Sequence, residues 1–261
     1  KKEIKLMVLG RFIVIVSLIT TIINATFAKD VEDLILYFDY EEEKGGIISD
    51  QSGRNYDGKI NGNVKVTEDG ERGNVAEFKA NGFISLDVES IAEDDLPLNG
   101  MSVLAWFNVE NAGDQAIFNA RSADGTWLIH PEVRPAIYRW LLRSKAGTIF
   151  DMRAGKPTFG KWTHFAGTYQ KGEGAVLYIN GVEVGNMPGN QEISNNWDQG
   201  ARVGLNIDDA RPFKGKMDEL NIWKRGLTQD EVKEIFKTGM KEFLAVQPNG
   251  KLASYWADIK N

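Results

Sequence analysis

Short runs of alternating apolar and polar residues dominate the chain between residues 34 and 242. Every second side chain of a run is apolar, which is the period of a β-strand with one buried face. Gly, Asn and Asp separate the runs, a pattern typical of an all-β sandwich or barrel. Strands are predicted at 34–39, 56–60, 75–79, 83–87, 102–109, 115–121, 126–130, 136–143, 147–153, 162–169, 174–180, 182–186, 201–205 and 216–223.

The last predicted strand leads into the one predicted helix. Asp218, Leu220 and Ile222 alternate, which predicts that this carboxylate shares a face with two aliphatic side chains. Because an ionised carboxylate that faces a core is costly without a partner, we expect Asp218 to be paired. Thr228 and Glu231 then form a capping-box pattern at the start of a short helix, and Gly239 suits its end.

Six short motifs follow one another in order between residues 34 and 239. They are Leu36–Asp39, Asp50–Gly58, Ser102–Phe107, Lys161–Ala166, Leu177–Gly181 and Phe213–Leu227. In this order they resemble the LamG-type (laminin G-like) jelly-roll domain of the concanavalin A-like lectin/glucanase superfamily, as it occurs in bacterial surface proteins. The resemblance implies an antiparallel two-sheet β-sandwich, here over residues 29–242, with one short C-terminal helix. It also implies carbohydrate or protein ligands outside the cell and, in many members, calcium.

Residues 1–28 have the pattern of a signal peptide. Four basic residues precede the apolar run Phe12–Ile23, and small residues lead to a cleavage position after Ala28. The run is shorter than the roughly 20 residues that span a bilayer. We therefore expect a secreted protein that is extracellular, at the cell surface or periplasmic. An uncleaved N-terminal anchor is the alternative, and the only expected link to a membrane.

Charge and cysteine content narrow the classes of function. Removal of residues 1–28 takes away four basic groups and Glu3, so the net charge changes from −6 to −9. An acidic chain is a poor partner for nucleic acid. The chain has no cysteine, so its stability depends on the core and on any bound metal rather than on disulfides.

The C-terminal segment 243–261 follows the predicted sandwich. Its apolar residues are spaced around a probable turn at Pro248–Gly250. We expect a strand or hairpin packed on the sandwich, and the alternative is a docking or secretion tag that exposes Trp256.

The sequence offers few residues in the spacings that known catalytic sites use. The two histidines, His130 and His164, leave little basis for a metal or nucleophile site, and His164 lies in a core-like strand. Glycan hydrolysis needs two suitably spaced carboxylates. Related glucanases carry them as E-x-D-x-x-E on one strand, and no predicted strand here has that run.

Calcium is the predicted cofactor, because carboxylates from neighbouring loops or strands suit this ion. The resemblance implies that the first and last strands are adjacent, which would bring Asp39 and Asp218 to one Ca²⁺. The alternatives are an ion pair between Asp218 and Lys216, Arg225 or another basic side chain, and an Asp218 that caps a turn through hydrogen bonds.

Residues 118–153 hold the densest aromatic and basic cluster. Sugars stack on aromatic rings, and Arg offers planar donors to carboxylates. The residues expected to be exposed for ligand binding are Arg121, Trp127, Tyr138, Trp140 and Arg153. The loop around Trp197 is a second candidate.

These observations predict an exported, non-catalytic module that binds carbohydrate or glycoprotein with calcium support. Two other functions stay open. One is a structural subunit of an extracellular complex or surface layer that contacts other surface proteins, and the other is a polysaccharide lyase or glycoside hydrolase.

Overall fold

The computed structural model describes residues 31–123, 127–194 and 196–245. The chain divides into two compact units, residues 32–240 and residues 1–31 with 241–261. All strands described below belong to the first unit. The predicted signal peptide and Trp256 lie outside the described residues. Among the helices that are described, none has the length and apolarity needed to cross a membrane.

Strands make up nearly half of the described residues. In chain order they are β1 Leu34–Phe38, β2 Glu43–Lys44, β3 Ile47–Ile48, β4 Gly58–Asn61, β5 Val64–Asp69, β6 Gly73–Phe78, β7 Phe83–Leu86, β8 Gly100–Val109, β9 Gln115–Ala116, β10 Phe118–Arg121, β11 Trp127–Val133, β12 Tyr138–Ser144, β13 Gly147–Ala154, β14 Thr163–Gln170, β15 Gly174–Ile179, β16 Val182–Met187, β17 Ala201–Val203 and β18 Gly215–Trp223. The helices are α1 Gln229–Thr238 and α2 Met240–Ala245, with 3-10 turns at Val31–Asp33 and Glu93–Asp95.

The described strands form two antiparallel sheets. The eight-stranded sheet has the order β16-β15-β14-β8-β18-β6-β5, and β1 also pairs with β18. The ten-stranded sheet has the order β13-β12-β11-β10-β17-β7-β4-β3-β2, and β9 pairs with β11. This architecture confirms the predicted all-β, two-sheet sandwich with a C-terminal helix.

Every predicted strand overlaps an observed strand, but the alternation does not predict β2, β3 or β5. Strands β2 and β3 are two residues long, and β5 is a largely polar strand at the edge of its sheet. At the other end, α2 was not predicted, and residues 243–245 are helical rather than part of a strand.

The core lies between the two sheets and is rich in aromatic rings. Tyr138 on β12 contacts Phe107 on β8 and Phe165 on β14, with ring centroids 6.3 and 6.4 Å apart. These contacts join the ten-stranded sheet to the eight-stranded sheet. Burial of each such side chain contributes about 1.5–3 kcal/mol to folding.

Strand β18 carries a β-bulge that reverses the predicted orientation of Asp218. Asp218 pairs with Trp106, but the next pair is Asn221 with Leu104, so β18 has one extra residue. Glu219, within this bulge, has a φ of 48°. Leu220 therefore turns into the core while Asp218 points to the outer face of the eight-stranded sheet. The prediction that Asp218 shares a face with Leu220 and Ile222 is wrong for this reason.

Helix α1 begins and ends as the sequence predicts. The Thr228 side chain accepts a hydrogen bond from the Glu231 amide, and the Glu231 carboxylate accepts one from the Thr228 amide at 2.7 Å. Gly239 ends the helix. On the outer face of the eight-stranded sheet, Phe236 stacks on Trp106 with centroids 5.5 Å apart. This helix therefore covers part of that outer face.

Candidate functional site

The outer face of the ten-stranded sheet carries a cluster of charged side chains. On β11, β12 and β13, residues such as Ile129, Trp140 and Met152 point into the core, so their neighbours point outward. We call the outward group the outer-face cluster; it consists of His130, Glu132, Arg134, Arg139, Asp151, Arg153 and Arg211.

Glu132 is the centre of this cluster and is fully buried. Its carboxylate lies 3.0 Å from His130 Nδ1 and accepts a hydrogen bond from Arg134 Nε at 2.8 Å. Nη1 atoms of Arg139 and Arg211 each lie 3.5 Å from it. Burial alone would raise the pKa of Glu132, but the bond with His130 and the nearby guanidinium groups lower this pKa to about 2.

Asp151 is the second anion of the cluster. Arg139 donates to it from Nε at 2.6 Å and from Nη2 at 2.9 Å, a two-pronged geometry suited to a carboxylate. Arg153 Nη2 donates to the same carboxylate at 3.0 Å. Burial opposes ionisation of Asp151, yet these two guanidinium groups hold its pKa below the ordinary value.

A loop after β17 brings the last guanidinium to the cluster. Asp209 and Arg211 in this loop have left-handed backbones, with φ of 61° and 56°. Ile207 N donates to Asn119 Oδ1 at 3.0 Å, and Ala116 N donates to the Arg211 carbonyl at 2.9 Å. These bonds hold the loop against the outer face, so Arg211 reaches Glu132 from a segment distant in sequence.

The cluster has a positive net charge within an acidic chain. Four guanidinium groups face two ionised carboxylates, and burial lowers the pKa of His130, so that this ring is neutral at pH 7. In the sequence, residues 115–155 contain six basic and three acidic side chains, whereas the whole chain has a net charge of −6. Such a surface suits an anionic group.

The five predicted ligand-binding residues differ in their exposure to solvent. Arg153 is on the outer face, with 54% of its side chain exposed. Arg121 lies half-buried at the end of β10, and the Trp127 side chain is outside the described part of the chain. Tyr138 and Trp140 are 1% and 0% exposed, so the prediction that they present rings to a ligand is wrong. Trp197 is also buried, with its ring centroid 5.6 Å from that of Phe118.

Trp140 is a core residue that bridges the two sheets. Its Nε1 donates to the Thr168 carbonyl on β14 at 3.1 Å, and its ring lies against Gly167, where an added Cβ would be 2.7 Å from the ring. Tyr138, Trp140 and Leu142 are spaced two apart, with Arg139 and Arg143 among the intervening positions, and this spacing was the available signal for the orientation.

The sequence analysis missed Glu132, Arg134, Asp151 and Arg211. A signal existed for part of this group, because His130, Glu132 and Arg134 are spaced two apart and so share one strand face. Nothing in the local sequence indicates Arg211, since the loop that carries it is positioned by contacts with β9 and β10.

Strands β1 and β18 are adjacent, as expected, but Asp218 already has a cationic partner. Arg72 Nε lies 2.6 Å from Asp218 Oδ2, and Arg72 Nη2 lies 3.4 Å from Glu219. Among the described residues, no group of three or more His, Asp or Glu side chains is arranged to hold a metal ion. Asp218 is therefore already paired with a guanidinium group, which argues against the predicted Ca²⁺ shared with Asp39.

Aromatic rings complete the surroundings of Arg72. Its guanidinium carbon lies 4.3 Å from the centroid of Trp106 and 5.5 Å from that of Trp162, which are cation–π distances. Burial raises the pKa of Asp218 to about 7, although Arg72 opposes that rise. This group is the ion pair that the sequence offered as the alternative to calcium.

His164 lies next to this group and is buried on the outer face of the eight-stranded sheet, against Phe236 of α1. Its ring centroid is 5.2 Å from that of Trp106 and 5.7 Å from that of Phe236. Burial lowers its pKa to about 3. A neutral ring enclosed by aromatic side chains agrees with the structural role expected for His164.

The carboxylates of the outer face do not suit acid catalysis. Glycoside hydrolysis requires a protonated carboxyl group, whose pKa is raised by its surroundings. Glu132 and Asp151 both have lowered pKa values and are ionised at neutral pH. Their arrangement instead fixes the positions of guanidinium groups.

Comparison with known proteins identifies the family. The model of the concanavalin A-like lectin/glucanases superfamily (Laminin_G_3) matches residues 84–233, more than half of the chain. The protein belongs to this superfamily, which confirms the resemblance seen in the motifs. No curated protein sequence matches the chain.

Several solved structures share the fold at low sequence identity. Domain 4 of AbnA, a GH43 extracellular arabinanase from Geobacillus stearothermophilus solved with arabinotriose, is 24% identical with a TM-score of 0.59, and the match covers 78% of this chain and 98% of that domain. The binding domain of Paraclostridial mosquitocidal protein 1 is 16% identical with a TM-score of 0.59, over 79% of this chain and 52% of that one. The binding domain of botulinum neurotoxin DC, solved with rat synaptotagmin II, is 12% identical with a TM-score of 0.61, over 81% and 53%. The chain thus spans about half the length of these toxin domains.

Proposed function

We propose that this protein is an exported, non-catalytic module that binds carbohydrate or glycoprotein on the outer face of its ten-stranded sheet. The observation that carries the proposal is the outer-face cluster, in which two buried or half-buried carboxylates hold four guanidinium groups in fixed orientations. Preorganised donors of this kind lose little conformational entropy when a ligand binds.

Two further observations support this function. The outer face of the eight-stranded sheet is partly covered by α1, whereas Arg153 on the opposite sheet is well exposed. The fold is shared with a domain of an extracellular arabinanase solved with arabinotriose, and with toxin binding domains, one of them solved with a protein receptor. The basic and apolar residues 1–28 support export.

An array of oligosaccharides and glycoproteins tests the proposal, with Arg153→Ala as the probe variant. The matched control is Lys65→Ala, since Lys65 on the other sheet is 63% exposed and is also paired with a carboxylate at 3.0 Å. We expect the protein and Lys65→Ala to bind the same ligands and Arg153→Ala to bind them more weakly. Absence of binding to both ligand classes would contradict the proposal, as would equal weakening in the two variants. Turnover of a bound glycan would favour the enzyme alternative.

A further inference from the structure

We infer that the ligand of the outer-face cluster is an anionic sugar, one that carries a carboxylate or a sulfate group. This inference rests on the proposed function and adds the chemical class of the ligand. It comes from which side chains the sheet presents outward, and from how those side chains are already paired.

The aromatic side chains of β12 point away from the outer face of the sheet. Neutral sugars are bound in large part by stacking on exposed aromatic rings. On β12 the two large rings, Tyr138 and Trp140, point into the core, and the outward residues of the same strand are Arg139, Leu141 and Arg143. Arg139 and Leu141 are themselves buried, so β12 offers no ring platform and its most accessible outward group is Arg143.

The guanidinium groups of the cluster differ in how many carboxylates they contact. The Arg139 guanidinium pairs with two carboxylates, those of Asp151 and Glu132. Arg153 has a single described side-chain partner, Asp151, and more than half of its side chain is exposed at 54%. Arg211 is 30% exposed, and its distance to Glu132 is 3.5 Å. Arg153 and Arg211 thus keep donors for an added anion, while Arg139 serves as a positioning residue.

The outer-face cluster has more positive than negative side chains. Glu132 and Asp151 cancel two of the four guanidinium charges, so a net charge of about +2 remains for a ligand. The rest of the acidic chain repels anions. We therefore expect an anion to bind at this cluster.

Carboxylate and sulfate both accept paired hydrogen bonds from a guanidinium group. The cluster could therefore bind either group, and oligosaccharides of matched length that carry one or the other show which it prefers. Calorimetric titrations use oligogalacturonate as the carboxylate probe, sulfated galactan oligosaccharide as the sulfate probe and neutral galactan oligosaccharide as the reference. Poly-glutamate serves as a polyanion without sugar, and each titration is made in 50 and 300 mM NaCl.

We expect at least one anionic oligosaccharide to bind about tenfold or more tightly than the neutral one. Its affinity should fall several-fold in the higher salt, because exposed charges are screened. Arg153→Ala should remove most of the preference, and Lys65→Ala should leave it unchanged.

Each other outcome has a distinct meaning. Equal affinity for neutral and anionic oligosaccharides, with equal loss in Arg153→Ala, would overturn the inference and leave the proposed function standing. Equal binding of poly-glutamate would overturn the assignment to a sugar. Binding of none of the oligosaccharides, together with a negative array of carbohydrates and glycoproteins, would overturn both proposals.

Discussion

The Arg139 guanidinium donates two hydrogen bonds to the Asp151 carboxylate, from Nε to Oδ1 at 2.6 Å and from Nη2 to Oδ2 at 2.9 Å. The same guanidinium has its Nη1 3.5 Å from Glu132, on the neighbouring strand. One residue therefore links three strands of the sheet on its outer face. Asp151 in turn fixes Arg153, the exposed donor of the proposed ligand site.

Arg139→Lys is expected to weaken ligand binding through loss of position rather than loss of charge. A lysine keeps the positive charge but cannot make the two-pronged contact with Asp151. We expect the free energy of unfolding to fall by about 1–2 kcal/mol and the affinity for the ligand to fall several-fold. Urea unfolding and calorimetric titration measure the two effects. Wild-type values for both would contradict the positioning role.

Glu132→Gln tests the buried carboxylate. Its native pKa of about 2 lies below the ordinary value of 4.5, so ionised Glu132 stabilises the native state above pH 4.5. That stability is lost progressively as the pH falls from 4.5 toward 2. We expect Glu132→Gln to lower the free energy of unfolding by about 3 kcal/mol at pH 7, and by clearly less at pH 3. Urea unfolding at both pH values measures this, and an equal deficit at both would contradict the assignment.

Trp140→Ala is expected to lower the free energy of unfolding by about 3–5 kcal/mol, because it leaves a cavity in the core and an unpaired Thr168 carbonyl. Trp140→Phe, which keeps a ring in the same place, is the control and should lose less. Thermal and urea unfolding of the two variants give the comparison. An unchanged melting temperature in Trp140→Ala would show that the side chain is a surface residue, as the sequence first suggested.

Arg72→Ala removes the cation beside Asp218. We expect a loss of about 1–3 kcal/mol in the free energy of unfolding, because the ion pair is lost while the buried carboxyl group, whose pKa is already about 7 beside Arg72, can take up a proton. Calcium binding stays a prediction, and thermal unfolding with EDTA and then with added calcium checks it. Because Arg72 already pairs with Asp218, we expect any rise with calcium to persist in Asp218→Ala. A rise that is abolished by Asp218→Ala would place the ion at Asp218, contrary to that pairing.

His164→Phe should reduce the sensitivity of the fold to acid. The native pKa of about 3 lies below the ordinary value of 6.5, so the unfolded chain takes up a proton that the native state excludes. From this residue, stability falls by about 1.4 kcal/mol per pH unit as the pH drops from 6.5 to 3. Urea unfolding at pH 7, 5.5 and 4.5 should give a shallower pH dependence in His164→Phe. Parallel curves for the variant and the wild type would contradict this.

The alternation and the motifs predict the architecture well because a strand that packs on a core must repeat every second residue. Helix α1 is predicted for the same kind of reason, since Thr228 and Glu231 satisfy its first amides locally. Both features depend on neighbours in sequence.

Features that depend on distant segments are where prediction fails. The bulge at Glu219 turns Asp218 away from Leu220, and its partner Arg72 comes from the turn between β5 and β6. Arg211 reaches Glu132 from a loop after β17. In β12 the sequence does show two alternating sets, one aromatic and one basic, and the error was to expect rings from the first set on the outer face.

The most direct test of the central claim is amide hydrogen exchange, with and without the tightest ligand from the array. We expect slower exchange in β11 to β13 and in the loop that carries Arg211, with no change in α1. Protection confined to α1 and the outer face of the eight-stranded sheet would contradict it.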